Sequence, residues 1–223
     1  MKSIELFAGA GGLAMGMSLA GFEHRAVVEK DRWACDTIRE NQARGFPLVS
    51  DWPLWECDVR EFDPAQFKDE VDLLAGGPPC QPFSMGGKHG SFGDKRDMFP
   101  VMADAIGKLR PRSFVIENVK GLTRSTFANY FQYILLRLEL PLIRRRENET
   151  WEEHHERLQR EKTSGAEHER GLTYNVVTKL ANAADYGVPQ KRERVFIVGF
   201  RSDLGVEWSF PEPTHDLDKL LYD

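Results

Sequence analysis

The sequence predicts an α/β domain, a mostly parallel sheet with helices on both faces. Three observations point there. The first two-thirds of the chain alternates short apolar runs with amphipathic stretches, the rhythm of strands separated by helices. The first apolar run opens into a Gly-rich turn and then a helical stretch, as the first βα unit of such sheets does. Two later apolar runs, VDLLA and SFVIE, stop at segments rich in Gly, Pro or polar residues, where open α/β sheets gather their ligands.

In chain order, residues 3–7 read as a strand, followed by the Gly-rich turn and a helix over 13–20. Residues 25–29 form a second strand and 31–43 a helical stretch. VDLLA, 71–75, is a short buried strand that runs into GGPPCQPFS. Residues 85–96 hold four glycines and no apolar period, so a mobile loop is expected there. A helix over 98–109 precedes the buried strand 113–117, and two late strands, 176–180 and 195–200, flank NAADYGVPQKRER. Residues 144–170 break the rhythm with seven Arg/Lys and eight Glu, and read as a solvated helical excursion inserted between sheet elements. A DNA or partner contact is the alternative for that stretch.

The whole chain, 1–223, is expected to form one domain with a charged insertion at about 140–171. At 41% hydrophobic and 29% charged it is ordinary for a globular protein, and no apolar run approaches the ~20 residues of a membrane helix. The start, MKSIELFAG, lacks the regions of a signal peptide. Three cysteines, Cys35, Cys57 and Cys80, without metal-ligand spacing suggest reduced thiols, no metal and a cytoplasmic location. A net charge of −5 offers no global basic footprint for nucleic acid. If the chain handles DNA, its positive charge is confined to one face or supplied by another polypeptide.

Four motifs carry chemistry. In FAGAGGLAMG, Gly9 and Gly11 permit tight turning and close approach of a ligand to a helix N-terminus, and Glu29 stands twenty residues after Gly9 at the end of the next strand, where a carboxylate can accept from ribose hydroxyls. This says nucleoside cofactor without saying which, and a purely structural turn stays open. Cys80 follows a buried strand directly, bracketed by Pro79 and Pro82 that give its thiol a fixed direction. A buried structural cysteine needs no such bracket, so Cys80 reads as a nucleophile. Glu117-Asn118-Val119 ends SFVIE, and a carboxylate there suggests a pocket acid, with a helix N-cap by Asn118 as the alternative. Finally, strand alternation puts Arg192 and Arg194 on one side, able to hold a phosphate, a carboxylate or a base carbonyl; a solvated edge-strand start is the bland reading.

FAGAGG, GGPPCQPFS, ENV and QKRER, in that order, closely resemble the ordered motifs of the cytosine-5 DNA methyltransferases. The resemblance covers most of 3–136 and 172–215 and leaves the charged stretch out. It implies a Rossmann-like S-adenosylmethionine-dependent methyltransferase fold, with S-adenosyl-L-methionine as cofactor and duplex DNA as substrate. Phe7, Ala8, Gly9, Gly11, Gly12 and Leu13 would line its methionine and adenosine parts and Glu29 would bind its ribose. Asp58, with Val59, would meet the adenine amine, while Gly77 and Pro79 would approach from the catalytic side. The family often has an adenine-stacking aromatic where this chain has Lys30; whether Trp33 substitutes is open. Phe99 aligns with a leucine of the cofactor shell. By the same resemblance Cys80 adds to carbon 6 of a flipped-out cytosine, Glu117 holds ring nitrogen 3 and the exocyclic amine, and Arg194 binds the carbonyl at position 2. Arg192 sits near the thiolate and the target phosphate, and the 85–96 loop, hinged at Ser84, closes over the site.

The family pattern continues past QKRER with a target-recognition domain and two further motifs. Their absence before Asp223 leads us to expect one subunit of a split enzyme or a shortened chain, with a second polypeptide or C-terminal segment reading the DNA. Three other readings stay open. A transfer-RNA cytosine methyltransferase shares the Cys motif but tends to carry a Cys-Phe-Thr tripeptide absent here; a non-catalytic relative would not need an intact chemical set. An NAD-dependent oxidoreductase explains the Gly turn and Glu29 but not GGPPCQPFS or QKRER.

Overall fold

Apolar runs too short for helices and rich in Val, Ile, Leu and Phe become the strands of one seven-stranded sheet in the computed structural model, which describes residues 1–79, 97–164 and 171–216. The strands are β1 (Lys2–Leu6), β2 (Glu23–Glu29), β3 (Leu54–Glu56), β4 (Leu73–Gly76), β5 (Ser113–Val119), β6 (Tyr174–Asn182) and β7 (Glu193–Arg201). Their order is β3-β2-β1-β4-β5-β7-β6. The first five are parallel, whereas β7 runs antiparallel between β5 and β6. The chain therefore winds outward one way from β1 and the other way from β4. The gap between their carboxyl ends is a topological switch point, where such sheets bind ligands.

Helices cover both faces, as expected. Ala14 and Met17 of α1 (Gly12–Leu19) and Ile38 of α2 (Arg32–Ala43) pack with Val27, Leu73 and Ala75 on one face. On the other, α3 (Phe99–Leu109), α4 (Ala128–Glu139) and α5 (Trp151–Thr163) pack on Ile4, Leu6, Leu74, Phe114 and Ile116. Two elements were not read from the sequence. Strand β3 is only three residues long, too short to show a period. Helix α4 lies in a stretch between motifs to which no element was assigned.

Within the charged stretch 144–170, residues 151–163 form a helix, but not a wholly solvated one. Helix α5 starts with a reciprocal capping box, Thr150 with Glu153, and buries His154 and Leu158 completely. His154 donates through Nε2 to the Ile143 carbonyl at 2.9 Å, which leaves Nδ1 to accept from the Tyr133 hydroxyl at 3.0 Å. Buried between those partners, its imidazole is held neutral, with its pKa lowered to about 4. The adjoining turn is tied down by Arg137, which donates to Asp104 at 3.0 Å and to the Ile143 carbonyl at 2.8 Å.

The switch point tolerates little change. A Cβ on Gly76 would stand 2.6 Å from the Leu6 carbonyl oxygen, a backbone atom of the neighbouring strand. Gly76→Ala is expected to destabilise the domain by about 2–4 kcal/mol through enforced separation of β1 and β4. Urea unfolding followed by circular dichroism would show the shift in midpoint.

Candidate active site at the carboxyl edge of the sheet

The turn after β1 brings its backbone to the switch point in a conformation that side chains resist. Phe7 adopts φ 59°, a left-handed geometry uncommon for a bulky residue, and Gly9 and Gly11 follow at φ 55° and 89°. A Cβ on Gly11 would overlap the Trp52 ring at 2.4 Å, so this position requires glycine for space as well as for φ.

Glu29, at the end of β2, fastens this turn. Its Oε2 accepts from the Gly9 N–H at 2.7 Å, and its Oε1 accepts from the N–H groups of Lys30 and Asp31, both at 2.8 Å. A carboxylate held by three backbone donors keeps about one lone-pair site, on Oε2, for a further hydroxyl donor. Asp58 is engaged differently. Arg60 chelates it through Nε at 2.9 Å and Nη2 at 2.7 Å, and Lys30 reaches it at 3.4 Å. These cations hold its carboxyl well below the usual carboxylate range, with Arg60 the largest cause.

A cleft of about 740 Å³ opens beside the turn, within the size range of small-molecule sites. Phe7, Ala8, Gly12, Leu13 and Gly77 line it together with Glu117, Arg192 and Arg194. Part of the expected cofactor set thus shares one cavity with Glu117, Arg192 and Arg194, whereas Gly9, Gly11, Glu29, Lys30 and Asp58 do not line it. Arg194 Nε lies 2.7 Å from Glu117 Oε1, and Arg192 Nη2 lies 3.9 Å from the same oxygen. The two arginines do face one side, and β7 is an interior strand rather than a solvated edge. Asn118 caps no helix. Its Nδ2 donates to the Pro78 carbonyl at 2.9 Å and its Oδ1 accepts from the Val119 N–H, so it fixes the backbone two residues before Cys80. Cys80, Ser84 and the 85–96 loop lie outside the described residues.

Several expected cofactor residues stand apart from this cleft. Val59 and Phe99 are buried in the core, Pro79 is exposed, and Trp33 is 77% exposed in the first turn of α2. The other two cysteines are unsuited to nucleophilic work. Burial first, then the charges of Glu56 and Glu29, push the Cys35 thiol up to about 11, and burial also raises Cys57. Glu5 was not singled out from the sequence. It lies on β1, is 1% exposed, lines the cleft, and its Oε2 has no hydrogen-bond partner among the described residues. Its signal was present, as the one charged residue inside the apolar run SIELF.

Residues 1–140 and 153–221 match the family of C-5 cytosine-specific DNA methylases, and the chain belongs to that family. It is 36% identical over 222 residues to the Type II methyltransferase M.AquIA of Picosynechococcus sp., covering 96% of this chain and 77% of that protein. It is 35% identical to M.NgoMIV of Neisseria gonorrhoeae, covering 99% of this chain and 60% of that one. With M.PspPI of Psychrobacter sp. the identity is 36%, over 95% of this chain and 42% of the relative. The fold is that of Spodoptera frugiperda DNMT2, at TM-score 0.58, 23% identity, 96% of this chain and 53% of that one. The architecture is thus a Rossmann-like methyltransferase fold, and the cofactor is S-adenosyl-L-methionine rather than a nicotinamide dinucleotide. The residues present fit it: a glycine turn, a carboxylate at the end of β2 with a lone pair to spare, and a buried carboxyl oxygen, on a residue lining the cleft, that has no hydrogen-bond partner among the described residues.

Burial, reinforced by the charge of Glu29 and only partly offset by the Ala14 N–H, raises the Glu5 pKa to about 8. The folded state therefore binds a proton there that the unfolded state releases near pH 4.5. Stability from this group is fully present below about 4.5 and is lost as pH rises through about 8. Chemical denaturation between pH 5 and 9 is expected to show that decline in the wild type and a flatter profile in Glu5→Gln.

Proposed function

We propose that this chain carries the catalytic machinery that methylates carbon 5 of cytosine in duplex DNA through a covalent Cys80 adduct on a flipped-out base. The observation that carries the reading is the Glu117 carboxylate, paired to Arg194 and Arg192 in the same cleft as the glycine turn. Carbon 5 of cytosine is a weak nucleophile. Addition of the Cys80 thiolate to carbon 6 makes the ring enamine-like and puts electron density on carbon 5. Glu117 holds ring nitrogen 3 and the exocyclic amine as charge develops, Arg194 binds the carbonyl oxygen, and Arg192 favours the ionised sulfur and the target phosphate. S-adenosyl-L-methionine, held by the Phe7–Leu13 turn, Glu29 and Gly77, supplies an electrophilic methyl group. Loss of the carbon-5 proton to solvent then expels Cys80 and restores aromaticity. A stacked base is out of reach of these groups, so the nucleotide must leave the helix.

Target recognition comes, in this reading, from polypeptide outside these 223 residues. Two facts support it: the net charge of −5, and the 42–77% of the relatives' lengths that the chain spans. Labelled methyl transfer to duplex DNA and to transfer RNA tests the whole proposal. Little incorporation is expected from the chain alone. Duplex DNA, not transfer RNA, should be labelled once the polypeptide encoded directly downstream is added. Robust turnover by the chain alone would refute the need for a further segment, and labelling of transfer RNA alone would refute the substrate.

Two variants test the geometry. Arg194→Ala should lower single-turnover methylation by about 10²–10³-fold, the usual cost of one donor to a developing charge. Asn118→Ala should lower it by about tenfold, because it frees the Pro78 carbonyl and with it the backbone that leads to Cys80. DNA containing 5-fluorocytosine should trap a denaturant-stable adduct in both variants, more slowly than in the wild type, and none in Cys80→Ala.

A further inference from the structure

We propose that Lys30 is a specificity-determining residue of the cofactor site. It occupies the acceptor position of Asp58 that a 6-amino purine must take over, and it is itself the donor for a 6-oxo purine. This rests on the cofactor placement proposed above. With the reacting methyl group in the cleft beside Glu117 and the ribose at Glu29, the nucleoside runs from β5 towards β2. Its base then lies beyond Glu29, over the carboxyl end of the neighbouring strand β3. There Glu29 pairs with Glu56, and the Cys57 N–H donates to the Glu29 carbonyl at 3.0 Å. Asp58 is the next residue along, beside the ribose site.

A carboxylate offers about four lone-pair sites, and those of Asp58 are filled. Its Oδ1 accepts from the Arg60 backbone N–H at 3.0 Å and from Arg60 Nε at 2.9 Å. Its Oδ2 accepts from Arg60 Nη2 at 2.7 Å and from Lys30 Nζ at 3.4 Å. These donors are unequal. Three belong to one residue and act as a chelate, so none leaves without loosening the others. Lys30 makes the longest contact, and its side chain is 62% exposed, so water replaces Asp58 around its ammonium at little cost. Lys30 is the donor that yields. The nearby acids offer the base no substitute, because Asp31 caps α2 through the Ala34 N–H and Glu56 is paired with Arg39. An exocyclic amine needs an acceptor, which displacement of Lys30 supplies. A 6-oxo group needs a donor, which Lys30 left in place supplies.

Isothermal calorimetry of the wild type and Lys30→Met with S-adenosyl-L-homocysteine and S-inosyl-L-homocysteine tests this. Each ligand carries one ammonium and one carboxylate, so loss of a surface cation does not by itself favour either. Lys30→Met should bind the adenosyl ligand about two- to fivefold tighter, the worth of an exposed ion pair. It should bind the inosyl ligand about fivefold or more weaker, since the 6-oxo group loses its donor. The ligands also differ at ring nitrogen 1, so each is compared with itself across the two proteins. Opposite shifts do not arise from a general loosening of the site. In the wild type, saturation with S-adenosyl-L-homocysteine should raise acylation of Lys30 by an amine-reactive ester, read by peptide mass spectrometry. Any result other than opposite shifts, or Lys30 acylation unchanged by S-adenosyl-L-homocysteine, would overturn this inference and leave the cofactor reading intact. Failure of S-adenosyl-L-homocysteine to bind the wild type would overturn the cofactor reading as well.

Discussion

The antiparallel register between β5 and β7 is the constraint on which the candidate site depends. Val119 stands opposite Arg194 and Glu117 opposite Phe196, so Arg194 lies one diagonal step from Glu117 and reaches it at 2.7 Å. Side chains alternate along a strand, so a slip of one residue would send both arginines to the other face and leave the carboxylate unpaired in the cleft. The register is secured away from the site. Gly199 admits the Phe114 ring, which a Cβ would meet at 2.3 Å, and Phe114 packs against Tyr174 on the face that α4 covers. Core packing at one end of the strand pair thus sets the chemistry at the other.

The same logic holds on the cofactor side. Glu29 accepts from Gly9 across the β1–β2 pair, so the glycine turn and the ribose-binding carboxylate expected from the sequence are one hydrogen-bonded unit. Gly76 lets β4 lie close to β1, and Asn118 then holds Pro78, two residues beyond it. Each contact ties one strand end to the next across the switch point. Glu5 is the exception, since its Oε2 has no hydrogen-bond partner among the described residues.

Much of this was legible in the residues because the informative parts are local. Buried parallel strands announce themselves as apolar runs, and glycines, prolines and paired arginines mark where those runs end. What escaped was set by partners distant in sequence. Strand β3 has too few residues for a period, and its position follows from pairing with β2. The charge of 144–170 concealed one apolar face, because Trp151, His154 and Leu158 recur at helical spacing among Glu and Arg. Asn118 invited a capping role, which only the nearness of Pro78, forty residues away, displaces. The reach of Lys30 to Asp58, 28 residues away, was likewise not to be read from the sequence.

The net charge is the measure that a sequence total misrepresents most. A balance of −5 argues against a nucleic-acid partner only if charge is spread evenly. Beside the candidate site it is not. A second cavity, of about 640 Å³, adjoins the first and is lined by Lys120, Arg124, Lys191, Arg192 and Arg194. Among the described residues its single acid is Glu193, and Lys120 holds that carboxylate at 2.8 Å. The cations flank the end of β5 and the start of β7, so the register that pairs Arg194 with Glu117 also gathers positive charge around the entrance. Under the proposed function a phosphate backbone would meet that charge first, and the acidic surplus elsewhere would weaken binding without misdirecting it.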